Sequence, residues 1–325
     1  MQRRILVTGG SGFIGSNFVD EVARRGEDVL LNLDLVPPRD GLHLDIFRSV
    51  DILQGEAVKQ AFEEFRPSHV VHFAGKTDMF GEDVKAYAAN HEGTHNVIAA
   101  VQAVDSIERV VFTSSQFVVG PGALPASDIE FRPHTLYGQS KVLSELAVRE
   151  AELSCMWTII RPTNIWGAKH PRYPSEFWRV LKQGRYVHPG GHKVIRCYGY
   201  VGNVVEQVLR ILASERGKVD HKVFYVGDSP VDLLDWANAF SIELTGKPVR
   251  VVPRFAIRGL ALVGDAVVAC GGRFPIFSSR FRSMTEDYLT PMTPTFDALG
   301  PSSVSMEQGV RETVQWLRGE SEFWQ

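Results

Sequence analysis

Cysteine is scarce in this 325-residue chain. There are three, Cys155, Cys197 and Cys270, far apart and odd in number, which argues against a disulfide framework or a zinc site and makes a reducing, cytoplasmic setting the expectation. No metal is expected. Net charge is also nearly absent: 35 Lys and Arg against 38 Asp and Glu leave a formal −3, so no field gathers nucleic acid. Long apolar runs are missing as well. Arg3-Arg4 precede only Ile5-Leu6-Val7 before Thr8 and Gly9, too little for a signal-peptide core. The stretch Phe255 to Cys270 is interrupted by Arg258 and Asp265 and falls short of the ~20 residues of a membrane span. It reads as a helix of the core or of an interface, or one lying against a membrane surface. No internal repeat or low-complexity tract appears.

What is present is an alternation. Short β-branched runs at Arg4–Val7, Val29–Leu33, His69–Phe73 and Arg109–Thr113 are separated by amphipathic stretches at Asn17–Arg25, Val58–Phe65 and Thr94–Val104. That pattern predicts βαβ units and an α/β fold around a doubly wound parallel sheet. A long helix is expected over Gly138–Leu153 and a buried strand over Trp157–Arg161, after which Pro162 stops the pattern. Beyond it, Pro171, Pro174, Pro189 and Gly190-Gly191 lie among aromatic residues and suggest a loop-rich substrate region. A helix at Val201–Ala213 and a strand at Val223–Val226 return to the sheet. Helices are expected near Leu233–Leu244 and Met306–Leu317. The division expected is 1–163 plus about 196–227 as a dinucleotide-binding domain, and about 164–195 plus 228–325 as a smaller, mixed α/β substrate domain.

The first strand runs into Thr8-Gly9-Gly10-Ser11-Gly12-Phe13-Ile14-Gly15. Glycines fall where a chain must turn sharply, where backbone must approach a pyrophosphate, and where a helix must pack on a strand; the helix N-terminus then offers free N–H groups to phosphate. A tight turn in any α/β protein has the same look. The strand before it, the helix after it, and a second strand ending on Asp34 about 20 residues on favour the dinucleotide reading. Asp34 is expected to hold the adenosine ribose and to repel a 2′-phosphate, favouring NAD, although Arg39 keeps NADP open. Asp34 capping its own loop is the plainer alternative.

Tyr137 and Lys141 form a YxxxK pair on one helical face. An ammonium beside a phenol favours the phenolate, which makes the phenol a general base. The pair occurs often by chance, but it stands about 20 residues beyond Ser114-Ser115, at the carboxyl end of a strand, where parallel sheets bind ligands.

Taken in order, these motifs resemble the extended short-chain dehydrogenase/reductase family, in its NAD-dependent sugar epimerase/dehydratase branch, along nearly the whole chain. Residues 8–15 match its TGGxGFIG turn, which implies cofactor contacts from Gly9, Gly12, Phe13, Ile14 and Gly15. Asp51-Ile52 resembles the adenine-contacting pair, and His72-Phe73-Ala74-Gly75 resembles the HxAG strand end beside the cofactor. Asn90 precedes Gly93-Thr94 as in NxxGT. Residues 112–120 resemble the SSxxVYG stretch, carrying the catalytic hydroxyl onto Ser115. Arg161-Pro162-Thr163-Asn164 resembles RPxN, implying Pro162 at the cofactor and Asn164 at the substrate, and Arg196 falls where an arginine meets a nucleotide diphosphate. The resemblance implies a Rossmann-type fold, NAD as cofactor, Ser115, Tyr137 and Lys141 as catalytic residues, a nucleotide sugar as substrate, and a homodimer through the helices at 94–104 and 138–153.

The departures narrow this. Gln116-Phe117 stand where sugar dehydratases carry Asp-Glu, so dehydration is not expected; Val119 replaces the usual Tyr, and Cys197–Asn203 lacks the usual acids. Arg172, Arg185, His188 and His192 join Arg196 in favouring an anionic ligand. The apolar run from Arg254 to Tyr288 is similar instead to hydroxysteroid dehydrogenase relatives, whose substrates are apolar alcohols. A non-catalytic NAD-binding protein is the remaining alternative, against which the intact Ser115, Tyr137 and Lys141 count.

Overall fold

The structure is a computed structural model describing residues 2–39, 41–272, 274–320 and 323. Strands β1 (Arg4–Thr8), β2 (Val29–Asp34), β3 (Phe47–Ser49), β4 (His69–His72), β5 (Arg109–Thr113) and β6 (Met156–Pro162) come first in the chain. Short pieces β7 (Asn164–Trp166), β8 (Val187–Pro189), β9 (Ile195–Arg196) and β10 (Tyr198–Tyr200) follow, then β11 (Lys222–Val226), β12 (Val231–Asp232) and β13 (Arg250–Val252). Seven of these form one parallel sheet in the order β11-β6-β5-β4-β1-β2-β3. The other six pair off in three two-stranded ribbons, β10 with β7, β12 with β9 and β13 with β8.

Helices cover both faces of the sheet. They are α1 (Phe13–Arg25), α2 (Gly55–Phe65), α3 (Ala88–Gln102), α4 (Leu136–Glu150), α5 (Arg179–Lys182), α6 (Val201–Ala213), α7 (Arg216–Val219), α8 (Leu233–Thr245), α9 (Arg254–Ala269), α10 (Ser278–Thr285), α11 (Thr293–Leu299) and α12 (Met306–Gly319). Strand residues alternate between the two faces. Ile5, Val7, Val71 and Val111 pack with Phe18 and Val22 of α1 and Val204 and Val208 of α6. Leu6, Val70 and Val110 pack with Phe62 of α2, Val97 and Val101 of α3 and Val148 of α4. Because both faces are covered, the strands read as continuous apolar runs rather than as half-buried ones. The C-terminal part packs its own aromatic layer, with Trp236 stacked on Phe177 at 4.8 Å and on Tyr198 at 4.5 Å between ring centres.

Strand order reverses between β1 and β4, and the carboxyl ends of β1, β4, β5 and β6 open on one crevice, the place where such sheets bind ligands. The glycine turn sits there. Gly9 takes a left-handed φ of 74°, and a Cβ on it would stand 2.5 Å from the Ala74 backbone nitrogen. At Gly15, in the first turn of α1, a Cβ would collide with the carbonyl oxygen of Gly9. Gly15→Ala is therefore expected to push α1 off β1, losing about 1–3 kcal/mol of stability, as measured by denaturant unfolding.

Candidate active site

A cavity of about 710 Å3 fills the crevice. At one end is the turn from Gly9 to Gly15, where Gly12 is the N-cap of α1 and leaves the helix's first N–H groups open. At the other end Ser115, Tyr137 and Lys141 come together. Each is placed by a local cause. Ser115 caps the short 3-10 turn Gln116–Val118, its Oγ accepting from the Phe117 N–H at 3.2 Å. Thr135 caps α4 by accepting from the Gly138 N–H at 2.9 Å. Any side chain at Gly138 would collide with the Phe117 carbonyl, so glycine there lets Tyr137 reach Ser115, to which its hydroxyl is hydrogen-bonded. Phe117 and Tyr87 flank the Tyr137 ring, at 5.9 and 6.1 Å.

Lys141 donates to the Thr113 carbonyl at 2.9 Å and lies so near Gly75 that a Cβ there would be 3.3 Å from its Nζ. Burial lowers its pKa to about 8, against a smaller upward pull from Glu145. Burial raises Tyr137 to about 12, with the Ser115 hydrogen bond pulling the other way. Thus burial disfavours the charged form of both groups, the phenolate more strongly than the ammonium near neutral pH. His72, behind them, is driven to about 3 by burial and joins Thr8 of β1 (2.7 Å) to Thr94 of α3 (3.1 Å) as a neutral ring.

Beneath the site is a buried ion pair. Arg161 grips Glu145 through Nε and Nη2, both at 2.8 Å, with both side chains essentially inaccessible. The Ser114 hydroxyl donates to the same carboxylate, and Arg161 also reaches the Tyr225 hydroxyl and the Asp128 carbonyl.

The cavity wall contains Gly9, Gly12, Phe13, Ile14, Gly15, Phe73, Gly75, Ser115, Tyr137, Lys141, Pro162 and Asn164 of the residues singled out in the sequence. Others lie behind it. Asp34 faces the turn, accepting from the Ser11 N–H at 2.9 Å and the Val36 N–H at 3.2 Å, a geometry that pins the turn to β2. Asp51 accepts from Leu53 N–H at 2.9 Å; Ile52 is buried against Gly93. Asn90 brackets Lys76, accepting from its N–H (2.7 Å) and donating to its carbonyl (3.0 Å), and so holds the Ala74–Gly75 loop to α3. Arg196 bonds the Ser283 carbonyl and lies over Tyr288, while its buried Nε has no partner among the described residues. Of the other basic residues expected around an anion, Arg172 lines the cavity, whereas His192 meets Arg254 at 2.8 Å.

Sequence reasoning missed part of the wall. Lys169, His170, Tyr173 and Trp316 line it. Lys169 has a left-handed φ of 67° and ion-pairs with Asp20 at 2.7 Å. The His170 ring stacks on Tyr173 at 3.9 Å and accepts the Tyr173 N–H at 2.9 Å. Tyr173 follows the proline-rich break that marked this region, which is the signal that points to it; Trp316 arrives from the far C-terminal helix with no local signal.

A family model described as the NAD dependent epimerase/dehydratase family matches residues 5–227. The chain belongs to that family. Membership makes it an NAD-dependent enzyme, and the glycine turn and open helix N-terminus fit that cofactor's pyrophosphate. Among curated relatives, a UDP-N-acetyl-α-D-glucosaminuronate decarboxylase of Bacillus cytotoxicus is 27% identical across 98% of each chain. A 3-β-hydroxysteroid dehydrogenase of Mycolicibacterium neoaurum is 30% identical over 72% of this chain and 68% of its own. Among solved structures, the UDP-glucose 4-epimerase of Thermus thermophilus, in complex with NAD, is 25% identical, with a TM-score of 0.72 over 97% of this chain and 99% of its own. Among the described residues no helix is long and apolar enough to cross a membrane, and no cluster of metal-ligating side chains occurs.

Two outcomes follow from the buried groups. Glu145→Gln is expected to leave Arg161 an uncompensated buried charge and to cost about 3–5 kcal/mol, read by denaturant unfolding. In the ligand-free protein, Lys141 sheds its proton at about 8, whereas the unfolded chain holds it to about 10.4. The unfolded state therefore binds more protons in that window, and stability rises with pH there; above about 10 the trend reverses, because Tyr137 stays protonated to about 12. Unfolding curves across this range should show the rise flattened by Lys141→Met.

Proposed function

We propose that the protein transfers hydride between NAD and a hydroxyl-bearing carbon of a nucleotide-activated sugar, either as a 4-epimerase or as an oxidoreductase of the reductase or dehydrogenase type. The observation that carries this is the single cleft joining the glycine turn to Ser115, Tyr137 and Lys141. NAD supplies the hydride acceptor. Tyr137 takes the hydroxyl proton as its C–H bond gives up the hydride, and Ser115 hydrogen-bonds the same oxygen as it changes from alkoxide to ketone. Lys141, held at the Thr113 carbonyl, supports the cofactor ribose and, when charged, lowers the barrier to forming the phenolate. In an epimerase the ketone turns over and regains the hydride on its other face; in a dehydrogenase the ketone leaves and the reduced cofactor is exchanged for the oxidised one, and a reductase runs the same step in reverse.

Asn164 and Arg172 on the wall supply a hydrogen-bonding group and a cation for an anionic sugar nucleotide, with Arg196 behind them holding an unpartnered donor in reserve. In the cofactor site, Asp34 sets the turn for the ribose and Pro162 and Phe73 wall the ring end. Gln116 and Phe117 after Ser115 provide no acid–base pair for loss of water. A homodimer through α3 and α4 fits the exposed Leu143 and Leu146 on α4.

The second reading is oxidation of an apolar alcohol, of the kind named for the hydroxysteroid dehydrogenase relative. Met79 and Phe117 on the cavity wall favour it.

The test is direct. UDP-, GDP- and dTDP-sugars and sterols are offered to the purified protein with NAD while nicotinamide reduction and products are followed. Sugar interconversion without net reduction supports the epimerase; sterol-dependent reduction supports the second reading. Tyr137→Phe is expected to bind NAD within about twofold of wild type while turnover falls by about 10²–10⁴-fold, the usual contribution of a positioned base. An active variant sinks the assignment.

A further inference from the structure

Helix α9 is apolar on both sides. Its inward face sets Ile257, Ala261 and Gly264 into the fold, with Gly264 so close to α10's approach that a Cβ would collide with the Ile276 carbonyl. The opposite stripe, Phe255, Gly259, Leu262 and Ala266, recurs at helical spacing and is equally nonpolar. Phe255 is 79% exposed and Leu262 61%, with Val263 beside them at 55%. A helix on the surface of a folded domain ordinarily turns polar residues outward; on this side α9 offers only Arg258. Contiguous exposed apolar surface of this kind marks a contact site.

Charge indicates the occupant. Residues 254–287 carry five arginines against three acids, Asp265, Glu286 and Asp287, within a chain of net charge −3. Two of the acids are engaged internally, Asp265 accepting from the Ser278 N–H at 2.9 Å and from its hydroxyl, and Asp287 accepting from the Ile195 N–H at 2.7 Å. Arg258 is exposed on α9, and Arg280 and Arg282 are exposed on the neighbouring α10. Two copies meeting through this face would oppose like charges, which disfavours self-association. An anionic lipid surface satisfies both features, taking apolar side chains at the level of its acyl boundary and arginines among its phosphates. The sixteen residues of α9 extend only ~24 Å, so the helix lies along such a surface and does not cross it.

We propose that α9, with the arginines of α10, is a docking surface for an anionic phospholipid bilayer. The proposal goes beyond the assigned chemistry and does not depend on it. The surface is nonetheless joined to the reaction cleft: α10 passes its Ser283 carbonyl to Arg196 and leads into Tyr288, whose hydroxyl donates to the Val119 carbonyl at 2.6 Å and whose ring packs on Phe117.

Flotation with vesicles tests this without any turnover. The intact protein is mixed with phosphatidylcholine vesicles, or with vesicles of phosphatidylcholine and phosphatidylglycerol, at low and raised salt. Binding to the anionic vesicles, weakened by salt, is expected, with a loss of about tenfold or more in Leu262→Glu and a smaller loss in Arg280→Glu. NAD titration of each variant checks that the fold is intact. The proposal is overturned if wild type ignores anionic vesicles, or if folded Leu262→Glu binds them as wild type does. It is equally overturned if sedimentation shows a wild-type oligomer that Leu262→Glu dissociates without any vesicle binding, since the face then covers a second copy.

Discussion

The bidentate pair between Arg161 and Glu145 is the interaction on which the rest of the site depends. Two charges removed from water repay their desolvation only when geometry is good and the remaining valences are filled. Here they are filled by Ser114, Tyr225 and the Asp128 carbonyl. Glu145 lies eight residues beyond Tyr137 and four beyond Lys141, on the same helical face, while Ser114 adjoins Ser115 and Arg161 adjoins Pro162. A single group therefore registers the serine strand, the tyrosine helix and the β6 end at the cleft wall against one another. A shift of the tyrosine helix or of β6 would leave a charge stranded, and a shift of the serine strand would cost Glu145 the Ser114 hydrogen bond.

The cofactor end rests on a different constraint, close approach of backbone. Gly9, Gly15, Gly75 and Gly138 stand where a Cβ would strike main chain or a functional side chain. The first two let α1 sit on the end of β1; the other two let the Lys141 amine and the Tyr137 ring occupy the space that remains. Thus the same device, absence of a side chain, shapes both ends of the cleft.

Much of this was legible in the sequence. The sheet strands and the helices from α1 to α4, with α6, α8 and α12, announced themselves because both sheet faces are covered and each helix keeps one apolar side. Strand β3 and the three ribbons did not, since two- or three-residue strands carry no period. The proposed catalytic residues were readable as a group because their spacing expresses local geometry: four residues on a helix, a serine at a strand's end. Asn90 and Asp34 came from the same motifs, yet their side chains are occupied with holding loops, a distinction that spacing cannot express. Lys169 to Tyr173 and Trp316 were illegible as a group, because what unites them is a cleft wall assembled from segments some 140 residues apart.

The strand order has a consequence for how the chain comes into being. Strand β11, which pairs with β6 from Lys222–Thr158 to Val226–Pro162, is made some sixty residues after its neighbour, once the chain has left the sheet for β7 to β10 and come back. Until then the apolar β6 stands as an open edge, with its hydrogen-bonding groups unmatched. Arg161 meanwhile lacks the Tyr225 hydroxyl that completes its shell. The seven-stranded sheet is thus not a module finished early and decorated later. During synthesis this edge waits on residues 222–226, and an unpaired strand edge of that kind favours aggregation until it is covered.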